Sequence, residues 1–182
     1  MAAIPAATLI LVRERTAGPP ELLMVERSAA MAFAPGALVF PGGRVDPADT
    51  TLAAKLGHSD GGASVAAIRE TLEECGVAAG LNPRPTPAQS HAMQDALLAG
   101  ESFSVLLEAA GLELNVTGLT PFARWVAPEA VSRRFDTLFL LAKATEEAMP
   151  RAGSGECMSA GWVTADQVLD AESEGCAKLI YP

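Results

Sequence analysis

"AAIRETLEECGV", Ala66 to Val77, is the stretch whose reading decides the fold. Val65, Ile68, Leu72 and Cys75 recur at helical spacing on one face, with Glu70 and Glu74 on the opposite side and Glu73 between. The spacing predicts an amphipathic helix from about Ser64 to Cys75, closed by Gly76 in the left-handed position that ends many helices. Three glutamates then fall in its last two turns, at the negative end of the helix dipole, where carboxylates are unfavourable. Glu70 and Glu74 also form a like-charged i,i+4 pair, which costs roughly 0.2–0.5 kcal/mol in an isolated helix. Arg69 can reach Glu73 at i,i+4, whereas Glu70 and Glu74 have no cation at helical spacing on their own face. A solvated acidic face is one reading of this pattern. The other is a bound divalent cation, and oxygen-only ligands favour a hard ion, Mg²⁺ or Mn²⁺.

Outward from this helix, "ATLILVRE" (Ala7 to Glu14) and "ELLMVER" (Glu21 to Arg27) are aliphatic strand candidates, and "TAGPP" between them carries turn chemistry. "GALVF" (Gly36 to Phe40) predicts a short buried strand running into Pro41-Gly42-Gly43, where the chain must turn or bring its backbone close to something. Asp46 to Gly62 mixes turn residues with one short helical patch, "TLAAKLG". Two further helices are expected at "TPAQSHAMQDALLAG" and "ESFSVLLEAAG". Strands return at "FARWVA", "TLFLLAKA" and "SAGWVT", before a helix at "ADQVLDAES". Strands and helices are intermixed throughout, so the class is α/β or α+β.

The residues "RETLEECGV", Arg69 to Val77, resemble the second half of the Nudix hydrolase signature, G-x5-E-x7-R-E-U-x-E-E-x-G-U with U aliphatic; only Thr71 is off pattern. The first half resembles Gly43 followed after five residues by Asp49, with aspartate in place of glutamate. Nineteen residues then separate Asp49 from Arg69 instead of seven, so about a dozen residues, roughly 50–62, interrupt the signature and can loop out if their ends stay close. "ERSAAMAFAPGALVFPGG", "RWVAPEAVSRRFDT" and "GWVTADQVL" extend the likeness to the coenzyme A diphosphatase branch, which also carries an interrupted signature. The final "AKLIYP" stops where that branch continues into further helix, so this chain is short or its C-terminal segment is absent.

The resemblance implies one domain over residues 1–182, an α/β/α sandwich with a mixed sheet and a helical insertion at about 87–110. It implies Mg²⁺- or Mn²⁺-dependent hydrolysis of the diphosphate in a small-molecule nucleoside diphosphate derivative. Coenzyme A or an acyl derivative comes first among substrates, with NADH, ADP-ribose, FAD and capped RNA ends open. Glu70, Glu73 and Glu74 would bind metal, with the Gly43 carbonyl as a further ligand and Arg69 as the orienting partner of Glu73. Glu73, Glu74 and Glu156 are the catalytic candidates, Glu156 as base or further ligand in the loop before Trp162, with an ordinary exposed loop glutamate as its alternative. Arg27 and Phe33, beside "FPGG", are candidates for the substrate's phosphate and flat base, and Arg134 for phosphate, although Asp136 could pair with Arg133 or Arg134 instead. A sensor that keeps the fold without catalysis is the rival reading; it predicts a lost box carboxylate, and all three are intact.

Bulk properties narrow the field further. A chain of 182 residues with nearly half apolar is long enough for one substantial core. A formal charge of −9 argues against nucleic acid and anionic membrane as partners. Cys75, Cys157 and Cys176 contain no C-x-x-C pair and fit a reducing, cytoplasmic setting. The apolar N-terminal run lacks a basic leader and is too short to span a bilayer. His58 and His91 lack partner patterns for zinc or nucleophilic chemistry, Cys75 is expected in the core, and Trp125 and Trp162 in the core or at a cleft lip. A homodimer is left open.

Overall fold

The computed structural model describes residues 2–31, 34–58, 61–129, 134–153 and 155–180. Its elements run in chain order as β1 (Ile4–Arg13), β2 (Glu21–Arg27), β3 (Leu38–Val39), β4 (Gly42–Arg44), α1 (Pro47–Lys55) and α2 (Gly62–Cys75). There follow β5 (Leu81–Asn82), α3 (Pro87–Leu98), α4 (Phe103–Ala110), β6 (Glu113–Leu114), β7 (Thr120–Val126), β8 (Phe135–Lys143), β9 (Cys157–Thr164) and α5 (Ala165–Ser173). The class is mixed α/β, as the intermixed pattern predicts. Seven strands form one mixed sheet, in the order β3-β2-β1-β8-β7, with β4 also on β1 and β9 on β2. β1 and β8 are parallel from Ile4↔Phe135 to Val12↔Lys143, and the other pairs are antiparallel.

Alternation along the strands sets the two faces of the sheet. Ala7, Leu9 and Leu11 of β1 and Leu23 and Val25 of β2 are fully buried and join Val65, Ile68, Leu72 and Cys75 of α2 in the core. The intervening residues Ala6, Thr8, Leu22 and Met24 face the other way and line an open cleft bordered by Val168 and Leu169 of α5. β1 and β2 pair only at Val12↔Leu22 and Arg13↔Glu21, while Ala6 to Thr8 pair with β4. The two long strands therefore diverge, and the Pro41-Gly42-Gly43 segment fills the notch. A Cβ on Gly42 would overlap the backbone of Ala7 and Thr8, so this pairing needs glycine.

The interruption is more ordered than a loop. Its helix begins at Pro47, four residues before the patch read from sequence, because Asp46 and Asp49 close a reciprocal capping box and Pro47 sits in the first turn. Among the described residues no helix is long and apolar enough to cross a membrane.

Candidate functional site

α2 is covered on nearly every side, and this corrects the reading of an exposed acidic face. Ala66, Ala67, Thr71 and Glu74 are buried along with the apolar stripe. Thr71, off pattern for an aliphatic position, lies in the core, where its hydroxyl donates to Ala67 O at 2.7 Å. Gly76 adopts φ 64°, ψ 15°, as its position predicts, and its N–H caps Leu72 O.

The end of this helix is also less hostile to carboxylates than its dipole suggests. The other three terminal carbonyls all find donors from distant segments. Gln94 Nε2 donates to Glu73 O, Gly153 N to Glu74 O, and Arg151 N to Cys75 O, at 2.7–3.0 Å. Arg151 further binds Gln94 Oε1 at 2.6 Å and Asp95, fixing a cation beside the negative helix pole.

Glu70, Glu73 and Glu74 line one cleft of about 860 Å³ together with Gly43, Arg69, Arg27 and Glu156. Glu74 Oε2 accepts the Gly42 N–H at 2.9 Å. Burial pushes the Glu74 carboxyl up to about 8, against that hydrogen bond and with the help of the Glu70 charge. Burial likewise raises Glu70 to about 7 despite Arg69 beside it, and raises Glu73. Glu156 is exposed at the rim, and its charge acts on both Glu73 and Glu74.

Arg69 meets Glu73 as its spacing predicts and has further partners besides. Its strongest bonds go to Asp49, from Nε to Oδ1 and Nη2 to Oδ2, both 2.9 Å. Nη1 stands 3.0 Å from Glu70 and 3.4 Å from Glu73. Glu70 therefore has a cation after all, from the adjacent residue, which the i,i+4 rule does not consider. Burial works against its charge, but Asp49 and Glu70 outweigh it and hold the guanidinium protonated. Asp49, matched to the signature but given no role from sequence, is thus part of the site. So is Arg44 at the cleft wall, for which adjacency to Gly43 was the available signal.

Other candidates fall elsewhere. Arg134 is not among the cleft-lining residues; its Nε donates to Ala127 O at 2.9 Å, tying the ends of β7 and β8. Asp136 pairs with Arg124 across those strands, at 2.6 and 2.7 Å. Phe33 and Arg133 lie outside the described residues. Trp125 lines the cleft, while Trp162 packs on the core beneath Arg13. His58 is exposed, His91 bonds Met149 O, and Cys75 is buried.

The donor set fits a hard divalent cation in kind: it offers only oxygens, with Glu74 buried and Glu70 and Glu73 partly exposed along one cleft. Among the described residues no three acidic, His or Cys side chains converge on one point. A cation here would thus take fewer carboxylates and complete its shell with water and phosphate oxygens, as Mg²⁺ usually does. Gly43 belongs to this cradle, because a Cβ there would overlap the Glu70 carboxylate. Gly43→Ala should swing that flexible side chain aside, weakening divalent-cation binding in titration calorimetry while the melting temperature stays close to that of wild type.

The fold and the cleft define a mixed α/β protein with an acidic wall and flanking arginines at one site. A profile of the NUDIX domain matches residues 3–181, and the chain belongs to the Nudix family. It is 28% identical over 177 residues to a Caenorhabditis elegans protein that carries a nudix hydrolase name, spanning 97% of this chain and 57% of that relative. The crystal structure of a NUDIX hydrolase from Alicyclobacillus acidocaldarius superposes with a TM-score of 0.80 at 30% identity, covering 100% of this chain and 87% of that one. The NUDIX domain of Shewanella oneidensis NrtR, complexed with ADP ribose, shares the fold with a TM-score of 0.56 at 12% identity, covering 97% and 85%.

Proposed function

We propose that this chain hydrolyses the P–O–P bond of a nucleoside diphosphate linked to another group, with Mg²⁺ or Mn²⁺ as cofactor. The observation that carries this reading is the shared cleft, in which three box glutamates, Glu156 and the Gly43 backbone face Arg27 and Arg44. Divalent cations held by Glu70, Glu73, Glu74 and the Gly43 carbonyl would neutralise charge on the diphosphate oxygens and acidify the attacking water. Arg27 and Arg44 supply fixed positive charge for the same oxygens. Glu156, exposed at the rim and free of the Arg69 network, accepts the proton of the water as it attacks phosphorus. The bridging P–O bond breaks, and two phosphate monoesters leave.

Glu156→Gln should lower kcat by about 10²–10⁴-fold with little change in KM, as loss of a general base does. Unchanged turnover at saturating metal would remove Glu156 from the chemistry.

Within this class, coenzyme A or an acyl derivative is the favoured substrate. Its support, beyond resemblance, is the apolar part of the cleft, where Leu22, Met24, Phe135, Phe139 and Val168 offer a surface for a long substituent. NADH, ADP-ribose, FAD and capped RNA present the same diphosphate, and ADP ribose is the ligand in the NrtR complex. The test is hydrolysis of each compound with Mg²⁺, read by a coupled phosphatase that releases phosphate from the monoester products. Rates on every compound equal to those of Glu74→Gln would refute the proposal. The free cysteines fit action in a reducing compartment.

A further inference from the structure

Four residues form one row across the sheet. Arg44 of β4 pairs with Ala6 of β1, Ala6 with Thr137 of β8, and Thr137 with Trp125 of β7. All four line the cleft. Neighbouring strands lie about 4.7–4.9 Å apart, so three steps place Trp125 roughly 14 Å across the sheet from Arg44. Ala6 and Thr137 are small and leave a shelf between the two ends, flanked along β8 by Phe135 and Phe139. Leu22 and Met24 line the same cleft from β2, on the other side of β1.

The two tryptophans differ in how they are held. Trp162 donates to Ala148 O at 3.1 Å and lies beneath the Arg13 guanidinium. Trp125 is half-buried on a strand whose other residues are all exposed, and among the described residues its indole N–H meets no acceptor. We infer that Trp125 is the platform on which the nucleobase of the substrate stacks, with Arg44 at the diphosphate end of the row and the ribose over Ala6 and Thr137. The inference rests on the proposed diphosphatase reading and adds where each end of the substrate lies. An indole presents a large, rigid π-face on which any base can stack without a hydrogen-bond code. With the base toward β7, the β2 side of the cleft is left for the second group, and the diphosphate sits between the two at β4.

The test is calorimetric binding to the full chain with Mg²⁺. The ligands are α,β-methylene-ADP, whose bridge resists hydrolysis, and methylenediphosphonate, which is that diphosphate without the nucleoside. Wild type should bind the nucleotide more tightly than the diphosphonate. W125A should raise the Kd of the nucleotide about 10–100-fold, the loss expected when one base loses one stacking ring, and leave that of the diphosphonate unchanged. W125F keeps a flat ring and should recover most of that loss. If W125A does not melt cooperatively, W125L carries the test: it fills the position with apolar bulk but no π-face, and should weaken the nucleotide alone. A wild-type nucleotide Kd in the folded variant, or equal weakening of both ligands, overturns the inference. So does wild-type protein that binds the two ligands equally well. Wild-type protein that binds neither sinks the diphosphatase reading itself, whereas tight diphosphonate binding with no preference for the nucleotide sinks only the base platform.

Discussion

Glu74→Gln should abolish hydrolysis while making the metal-free protein more stable at pH 8. Glu74 is 7% exposed, and burial pushes its carboxyl up to about 8, with the Glu70 charge adding to the effect. Near pH 8 a substantial part of the folded population must carry that charge in a poorly solvated place, whereas the unfolded chain ionises it freely. Glutamine has the same shape, keeps an oxygen for the Gly42 N–H and removes the charge. The melting temperature without metal should rise on the order of 5 °C, since each kcal/mol moves the midpoint of a chain this size by about 2–4 °C. With Glu74 in its proposed role as a cation ligand, the same substitution should lower divalent affinity and turnover more than about 100-fold, beyond what the loss of an outer partner costs. Calorimetry without metal and turnover with metal read the two effects separately. A variant that is less stable at pH 8, or that keeps wild-type turnover, contradicts the account of Glu74 as a strained acid relieved by a cation.

The second large effect is a reversal of the pH dependence of stability by metal. Glu70 and Glu74 titrate at about 7 and about 8 in the folded protein, against an ordinary value of 4.5. Between these limits the folded state binds more protons than the unfolded one, so stability falls as pH rises. Their stabilising contribution is complete below pH 4.5 and is lost as pH climbs through 7 and 8. Glu14 and Asp136 shift downward through hydrogen bonds to Lys143 and Arg124, but they lie at the exposed surface and act only at lower pH. Metal-free protein should therefore melt at a lower temperature at pH 8.5 than at pH 5.5. Added Mg²⁺ or Mn²⁺ binds the deprotonated carboxylates, so the gain in melting temperature on adding metal should be small at pH 5.5 and largest at pH 8.5. A metal-induced gain of equal size at both pH values would mean that the cation binds elsewhere.

The site was legible where its residues are close in sequence. Arg69, Glu70, Glu73 and Glu74 fall within six positions at fixed spacing, and the charge conflict among them is what draws attention to the stretch. Glu156, in the turn just before β9, and Arg27, at the end of β2, reach the same cleft because the two strands run side by side with Arg27 opposite Cys157. The partners of Arg69 were less legible, because the i,i+4 rule finds Glu73 while the stronger grip comes from Asp49, twenty positions earlier. Arg134, a phosphate candidate from guanidinium chemistry alone, gives its Nε–H to Ala127 O and is not among the residues that line the cleft.

The sequence by itself determined the elements whose cause is local. β2 matches the aliphatic run from Glu21 to Arg27, α5 matches "ADQVLDAES" from Ala165 to Ser173, and α2 ends at the glycine that its pattern demands. Only the tertiary structure decided that β1 lies parallel to β8, more than a hundred residues away, and that Gln94, Arg151 and Gly153 cap the helix end carrying the glutamates. Side-chain periodicity and glycine conformation act over a few residues and can be read from them. Strand pairing, the capping of distant carbonyls and the sharing of one guanidinium among several acids depend on which surfaces meet when the core closes.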